Sequence, residues 1–476
     1  MQHLFSLKVF IFLPLILLFL PAFCVPGGSL SSFLPIYNIA LVLFIIVFGL
    51  FKFKTIVNTI YSLGKNTSFK YLILYIMWCL ISVLFFAVTG RLSLSKSIYS
   101  ILVIIIGYYT LYSIYPAILT KFLNIRNIYK IITLALFLIL VWGIISYLGT
   151  LLHIAPIEVI ELLISNKNNL MIGMQQELHM RNHSVFTEPS VYGYFLVTNL
   201  WFIYSIAESK YKIFYNTYLN SIIKISIVPL TIINIITTFS PVTIVIFFII
   251  TTIYLLQHKS IIKRSLVILV IMLSFIIYSL PTVQETKTVS RIQNTISSFT
   301  DFEKFAVAEA SLYTRICSFI NTFHVFLKHP IAGVGSGMTK YYMAEQFKNS
   351  PVPLSAENRG KMISAKQGGV VGFNLAILYT TLSDNGFIGF ILLYTYFIGT
   401  VLSLRKIKHY YNKANFEFIN FIIPTMWSMI ILSVYDSFLI NSPYLFLIFI
   451  IANSICLKQQ KKLAILQEYR CQHSQS

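Results

Sequence analysis

The sequence predicts an all-α integral membrane protein with about twelve transmembrane helices and a large, partly helical extracytoplasmic loop. Three observations carry that expectation. Apolar residues make up 57% of the 476-residue chain and the mean hydropathy is +0.78, more apolar surface than a soluble fold can hide beneath a wettable exterior. Apolar stretches recur at roughly the 20-residue length that crosses a bilayer as a helix. Basic residues alternate between connections, dense on one side and sparse on the other, as expected of a polytopic membrane protein.

In chain order the spans lie near 4–24, 33–51, 69–89, 98–118, 130–151, 189–207, 219–237, 241–257, 262–281, 386–404, 416–437 and 442–457. The first has Lys8 ahead of its apolar run, but no small-residue cleavage site follows it and Phe23 beside Cys24 spoils a lipoprotein signal; it reads as an uncleaved helix. Around Thr238 to Pro241 a two-helix hairpin and one broken helix read alike. Lysine and arginine gather at Lys52–Lys70, Lys121–Lys130, Lys210–Lys212, Lys259–Arg264, Arg405–Lys413 and Lys458–Lys462, which makes those connections and both termini cytoplasmic. Segments 152–188 and 282–385 are then external. The chain divides into residues 1–281 with nine spans, the loop 282–385, and residues 386–476 with the last three spans and a cytoplasmic tail.

Several function classes are excluded at this level. A net charge of +21 would suggest nucleic acid for a soluble protein, but here the basic residues report topology. No Gly-x-x-x-x-Gly-Lys loop occurs, so the chain has no ATPase phosphate cradle. The only aspartates are Asp301, Asp384 and Asp436, leaving no paired-Asp motif to hold a metal and a nucleotide-sugar. Cys24, Cys79, Cys317, Cys456 and Cys471 show no metal-ligand spacing, and only Cys24 and Cys317 fall on the oxidising side. Most spans lack ionisable side chains, which disfavours a proton-driven transporter. Lys224 and Asp436 sit near span ends, where they can snorkel to the interface.

The stretch RNHSVFTEPSVYGYFLVTN, from Arg181 to Asn199, carries a polar run into the mouth of a span. Ionisable groups there need a reason. One is local: Thr187 or Glu188 caps a helix whose first residue is Pro189. The other is chemical, with Glu188 as a base. In the outer loop, Phe305, Ala308, Leu312, Ile316, Phe319, Phe323 and Phe326 recur at helical spacing, which predicts an amphipathic helix on or near the membrane. Arg315 falls at the edge of that stripe, placed either for solvent or for an anionic headgroup. Then comes His329-Pro330-Ile331-Ala332-Gly333-Val334-Gly335-Ser336-Gly337, whose alternating glycines let backbone approach a ligand or simply turn.

Three blocks together resemble the bacterial O-antigen polymerase and ligase superfamily of multi-span polysaccharide enzymes. They are Arg181 with FTEPSVYGYFL at 186–196, Arg315 with FLKHPIAGVGSG at 326–337, and LSDNGFIGFILLY at 382–394. The ligase branch shows a His-Asn pair ahead of the third block, where this chain has Phe373-Asn374; the polymerase branch is favoured. The resemblance implies a glycosyltransferase on the outer face of the inner membrane that joins undecaprenyl-pyrophosphate-linked repeats into O-antigen (lipopolysaccharide) or capsule. The alternatives are an O-antigen ligase, or a lipid-linked glycan flippase. Glu188, Arg181, Arg315 and His329 would be catalytic. His183, Ser190, Gly333, Gly335, Gly337, Arg291 and Asp384 would bind substrate, although Asp384 also reads as a helix cap. Basic loop residues such as Arg291, Lys340, Arg359 and Lys361 suit anionic pyrophosphates or acidic glycans. No cofactor or metal is implied. The partners would be lipid-linked glycans, membrane lipids, a chain-length regulator and a flippase.

Overall fold

The computed structural model describes residues 67–88, 125–157, 182, 184, 189–209, 212–238, 240–257, 310–355, 358–360, 362–363, 377–410, 413–433, 448–449, 451–459 and 462. Every regular element among them is helical. The helices are α1 Thr67–Val88, α2 Ile125–Leu151, α3 Pro189–Thr198, α4 Leu200–Glu208, α5 Thr217–Thr237, α6 Pro241–Gln257, α7 Ala310–Lys328, α8 Thr339–Gln346, α9 Ile377–Ile407 and α10 Lys413–Leu432. Four stretches, Ser68–Phe85, Ile125–Leu151, Thr217–Thr237 and Leu378–Tyr410, are long and apolar enough to cross a bilayer. The chain is an α-helical membrane protein. The spans expected near 4–24, 33–51, 98–118 and 262–281 lie outside the described residues.

The chain forms two compact units. One comprises Met1–Phe48, Phe122–Val289 and Lys408–Ser428, the other Gly49–Lys121, Ser290–Ile407 and Met429–Ser476. In the first, α2, α4 and the start of α10 meet in an aromatic cluster of Tyr129, Phe202 and Phe418, with ring centroids 5.0 to 6.0 Å apart. The predicted span at 189–207 forms with one irregular residue, Asn199, where the backbone ladder still runs through (Asn199 N–H to Phe195 at 3.3 Å, Ile203 N–H to Asn199 at 2.9 Å) and the side-chain amide also donates to the Phe195 carbonyl at 2.7 Å; asparagine competes with the helical ladder in this way. The ambiguity at 238–241 resolves into two helices, one ending at Thr237 and the next opening on Pro241, where proline's missing N–H has no helical partner to lose. Lys224 reaches back from α5 to the Ser209 carbonyl at 2.5 Å.

In the second unit, α1 lies against α9. Phe69, Leu72, Tyr75, Ile76, Cys79 and Val83 are buried, a stripe at three- and four-residue spacing. Leu74, Met77, Ile81, Leu84 and Phe85 on the other side are exposed, the arrangement of a helix whose second neighbour is lipid. The sequence places the start of this late span near 386. A break falls there: Gly386 has non-helical φ 66° and ψ −169°, so α9 is two helical pieces, a short one from Ile377 and the span proper running on from Phe387. Ser383, Asp384 and Asn385 look like loop residues but are buried within the short piece; Ser383 returns its hydroxyl to the Tyr379 carbonyl at 2.9 Å. After the bend, Phe387–Ile407 is still about 30 Å long, enough to cross a bilayer.

Helix α7 forms within the expected amphipathic stretch, and its packed face is the polar one. Tyr313, Thr314, Cys317, Ser318, Asn321, Thr322 and Val325 are buried, while Phe323 and Leu327 on the apolar stripe are exposed. The buried face bonds to the 350–358 segment: Thr314 to Ser355 at 2.9 Å, Asn321 to Ser350 at 2.9 Å, and Tyr313 to the Pro353 carbonyl at 2.5 Å. Phe319, on the stripe, touches the Tyr379 ring at 4.1 Å.

Candidate functional site

Two of the three blocks singled out in the sequence meet at one place, the bend of α9. The glycine loop runs along the turn. Val334 N–H donates to the Ser383 carbonyl and Gly335 N–H to the Asp384 carbonyl, while Phe387 N–H returns to the Pro330 carbonyl, each at 2.8 Å. The contact needs glycine on both sides. Gly333 (φ 69°) and Gly386 (φ 66°) are in the left-handed region. A methyl on Gly333 would overlap the Asp384 backbone, and one on Gly386 the Ile331 carbonyl. The space beside Gly333 is therefore filled by protein.

The Asp384 carboxylate lies inside this contact, only 4% exposed. It accepts from Gly337 N–H at 2.8 Å, Thr339 N–H at 2.8 Å and the Thr339 hydroxyl at 2.5 Å. The Thr339 and Ser383 hydroxyls are a further 2.6 Å apart. Asp384 does act as a helix cap, but the helix is α8, which opens at Thr339, and not its own. A carboxylate there satisfies two otherwise orphaned N–H groups and suits the positive helix end.

Helix α1 closes the far side. Trp78 Nε1 donates to the Asn385 carbonyl at 2.8 Å, Ser82 Oγ to the Ala332 carbonyl at 2.9 Å, and Asn385 Nδ2 to the Tyr75 hydroxyl at 3.2 Å. Sequence reasoning missed these residues. The available signal was that Tyr75, Trp78, Cys79 and Ser82 share one face of an otherwise apolar span.

His329 joins α7 to the loop. Its N–H donates to Phe326 and its carbonyl accepts from Gly333 at 3.0 Å, and its ring meets Tyr342 edge-on at 6.0 Å. Arg315 is half-buried on the border between the packed and apolar faces of the same helix. Roughly 20 Å of helix axis separates it from the loop, so Arg315 and His329 do not converge on one small group. Beside Arg315, burial pushes the Cys317 thiol above its ordinary range, and this cysteine is free.

The first block belongs to the other unit. Helix α3 opens on Pro189 as expected, with Ser190 half-buried in its first turn. Gly193 sits where any side chain would overlap Thr243 of α6. Asn182 and Ser184, overlooked in the sequence, are fully buried anchors. Asn182 N–H donates to the Thr237 carbonyl at 2.9 Å and its Nδ2 to Asn234 Oδ1 at 2.8 Å. The Ser184 hydroxyl donates to the Ile139 carbonyl at 3.0 Å, and Asn234 Nδ2 to the Leu140 carbonyl at 3.0 Å. Segment 182–184 is thereby stitched to α2 and α5. Arg181, His183, Glu188 and Arg291 lie outside the described residues.

The fold and these buried polar contacts define an α-helical membrane protein with structured segments packed at a broken span. No protein-family model matches the chain, and no curated protein matches it.

Proposed function

We propose that the protein polymerises undecaprenyl-pyrophosphate-linked oligosaccharide repeats into O-antigen or capsular polysaccharide on the outer face of the bacterial inner membrane. The observation that carries this reading is the junction at the α9 bend, where the His-Pro-x-x-Gly-x-Gly block and the acidic-x-Gly-x-x-Gly block form one structure although about 50 residues of chain separate them. Motifs that matched a family pattern by accident would have no reason to pack together. In this reading the chain has twelve spans with both termini cytoplasmic, and the Phe-rich stripe of α7 rests on the outer membrane surface.

The reaction is a glycosyl transfer. A hydroxyl oxygen of the incoming repeat bonds to the anomeric carbon of the growing chain, and the bond from that carbon to the pyrophosphate oxygen breaks. Glu188 takes the hydroxyl proton, the role of a general base. Pyrophosphate leaves with the bonding electrons, and Arg181 and Arg315 offset the developing charge without a metal. Because Arg315 stands well away from the glycine loop along α7, it serves one end of an extended substrate and His329 another part of it, while Ser190 keeps the substrate-binding role that the resemblance gives it. His183 and Arg291 complete the anionic contacts.

A deletion strain tests the reading by the lipid-linked species it accumulates. Single repeats on undecaprenyl pyrophosphate are expected. Long glycan on the same lipid would make the protein a ligase, and repeats trapped in the cytoplasmic leaflet would make it a flippase.

A further inference from the structure

The geometry points to Asp384 and Thr339 as a positioning latch: an internal carboxylate fills the amide nest of the glycine loop, so the loop holds the site's shape and does not cradle phosphate. A run of alternating glycines ahead of a helix N-terminus resembles an anion site, because successive N–H groups converge there with the positive helix end. In this protein the anion is already present and belongs to the chain. Gly337 N–H, Thr339 N–H and the Thr339 hydroxyl all end on Asp384, and the carboxylate is almost completely buried.

Three converging donors explain why the residue is an aspartate. An ionised carboxylate accepts only, whereas an asparagine would turn an NH2 group toward at least one donor. Charge-assisted bonds of this kind are about twice as strong as neutral ones. The latch also carries geometry outward. Thr339 starts α8, whose Met343 packs with Val325, Val334, Met338 and Phe347 in a small apolar core. The loop's other end is His329, whose carbonyl accepts from Gly333. Releasing Asp384 would therefore loosen the link between the α9 bend, α8 and the end of α7 that presents His329.

The consequence for glycan synthesis rests on the polymerase reading, but the latch itself can be read without it. Amide hydrogen exchange is measured on the purified full-length protein in detergent, following peptides that cover 333–340, alongside glycan length in cells. Asp384→Asn is expected to speed exchange of that segment at least tenfold and to shorten the glycan at unchanged protein level. Thr339→Val should do the same more weakly, and Thr339→Ser, which keeps the hydroxyl, should restore both. Inorganic pyrophosphate should leave wild-type exchange unchanged.

Unchanged exchange in Asp384→Asn would overturn the latch, as would slower exchange with pyrophosphate. Faster exchange with full-length glycan would show that the latch does not position the site. If Asp384→Asn does not accumulate, the Thr339 pair decides alone: equal exchange in Val and Ser variants overturns the proposal. A failure of the polymerase reading would instead appear in the deletion strain, with the exchange results intact.

Discussion

Buried amides and hydroxyls are costly in an apolar bundle unless each finds a partner, and here they mark the places where chain segments are tied together. Asn182, Ser184 and Asn234 form one such tie, immediately ahead of the helix that opens at Pro189. This anchoring sharpens the question of Glu188, which stands between the tie and the helix in sequence. A cap needs only an acceptor, while a base needs a titratable carboxylate. Glu188→Gln keeps an acceptor oxygen and the side-chain length, and losing the charge at the helix end costs about 0.3 to 1 kcal/mol. The expected outcome is normal protein level with long glycan collapsed to single repeats, a rate loss on the order of a hundredfold to ten-thousandfold. Glu188→Asp should fall between. Wild-type chain length in the Gln variant would return Glu188 to a capping role and move the search for a base to His183 or His329.

At the level of elements, α7 and α9 both depart from what their composition suggests, for related reasons. Helix α7 turns Thr314, Ser318 and Asn321 inward because Ser355, Asn358 and Ser350 offer them hydrogen-bond partners. Its apolar side is left with Phe323 and Leu327 exposed and Phe319 packed on Tyr379. Helix α9 absorbs Ser383-Asp384-Asn385 because each finds a partner: Asp384 in the glycine loop, Ser383 in the preceding turn and Asn385 on α1. Gly386 permits the bend. An alanine there must adopt a positive-φ extended backbone that is essentially reserved for glycine, at about 1 to 3 kcal/mol, and also meets the Ile331 carbonyl. Gly386→Ala should lower the thermal unfolding midpoint in detergent by several degrees. Gly360→Ala, with nothing near its added methyl, is the matched control and should unfold like wild type. Equal midpoints would mean that the bend is not held by the loop.

For the whole molecule, the testable expectation is orientation. With basic connections inside, a cysteine at position 350 should react with a membrane-impermeant maleimide in intact cells, and one at position 412 should react only after the membrane is opened. Native Cys317 should stay silent in this assay, because it is buried and that burial pushes its thiol pKa up, leaving less of the reactive thiolate. Labelling of position 412 from outside would invert the topology and place the glycine loop in the cytoplasm, away from any outer-face chemistry.

Composition and periodicity alone determine the class of this protein and the rough position of its helices. Apolar runs near 69–89, 130–151, 219–237 and 241–257 all became helices close to those bounds, because in lipid a backbone must satisfy its own hydrogen bonds and a helix does so locally. Pro189 as a first helical residue was legible for the same reason. Tertiary structure decided the rest. That Asp384 caps α8 and not its own helix depends on a partner about 45 residues away in the chain. That the glycines serve a protein contact depends on the turn laid against them. The inward face of α7 likewise depends on segment 350–358, and the site wall of Tyr75, Trp78 and Ser82 comes from a helix some 250 to 310 residues earlier. Local physics chooses helix or loop; which donor meets which acceptor is set only when distant segments are brought together.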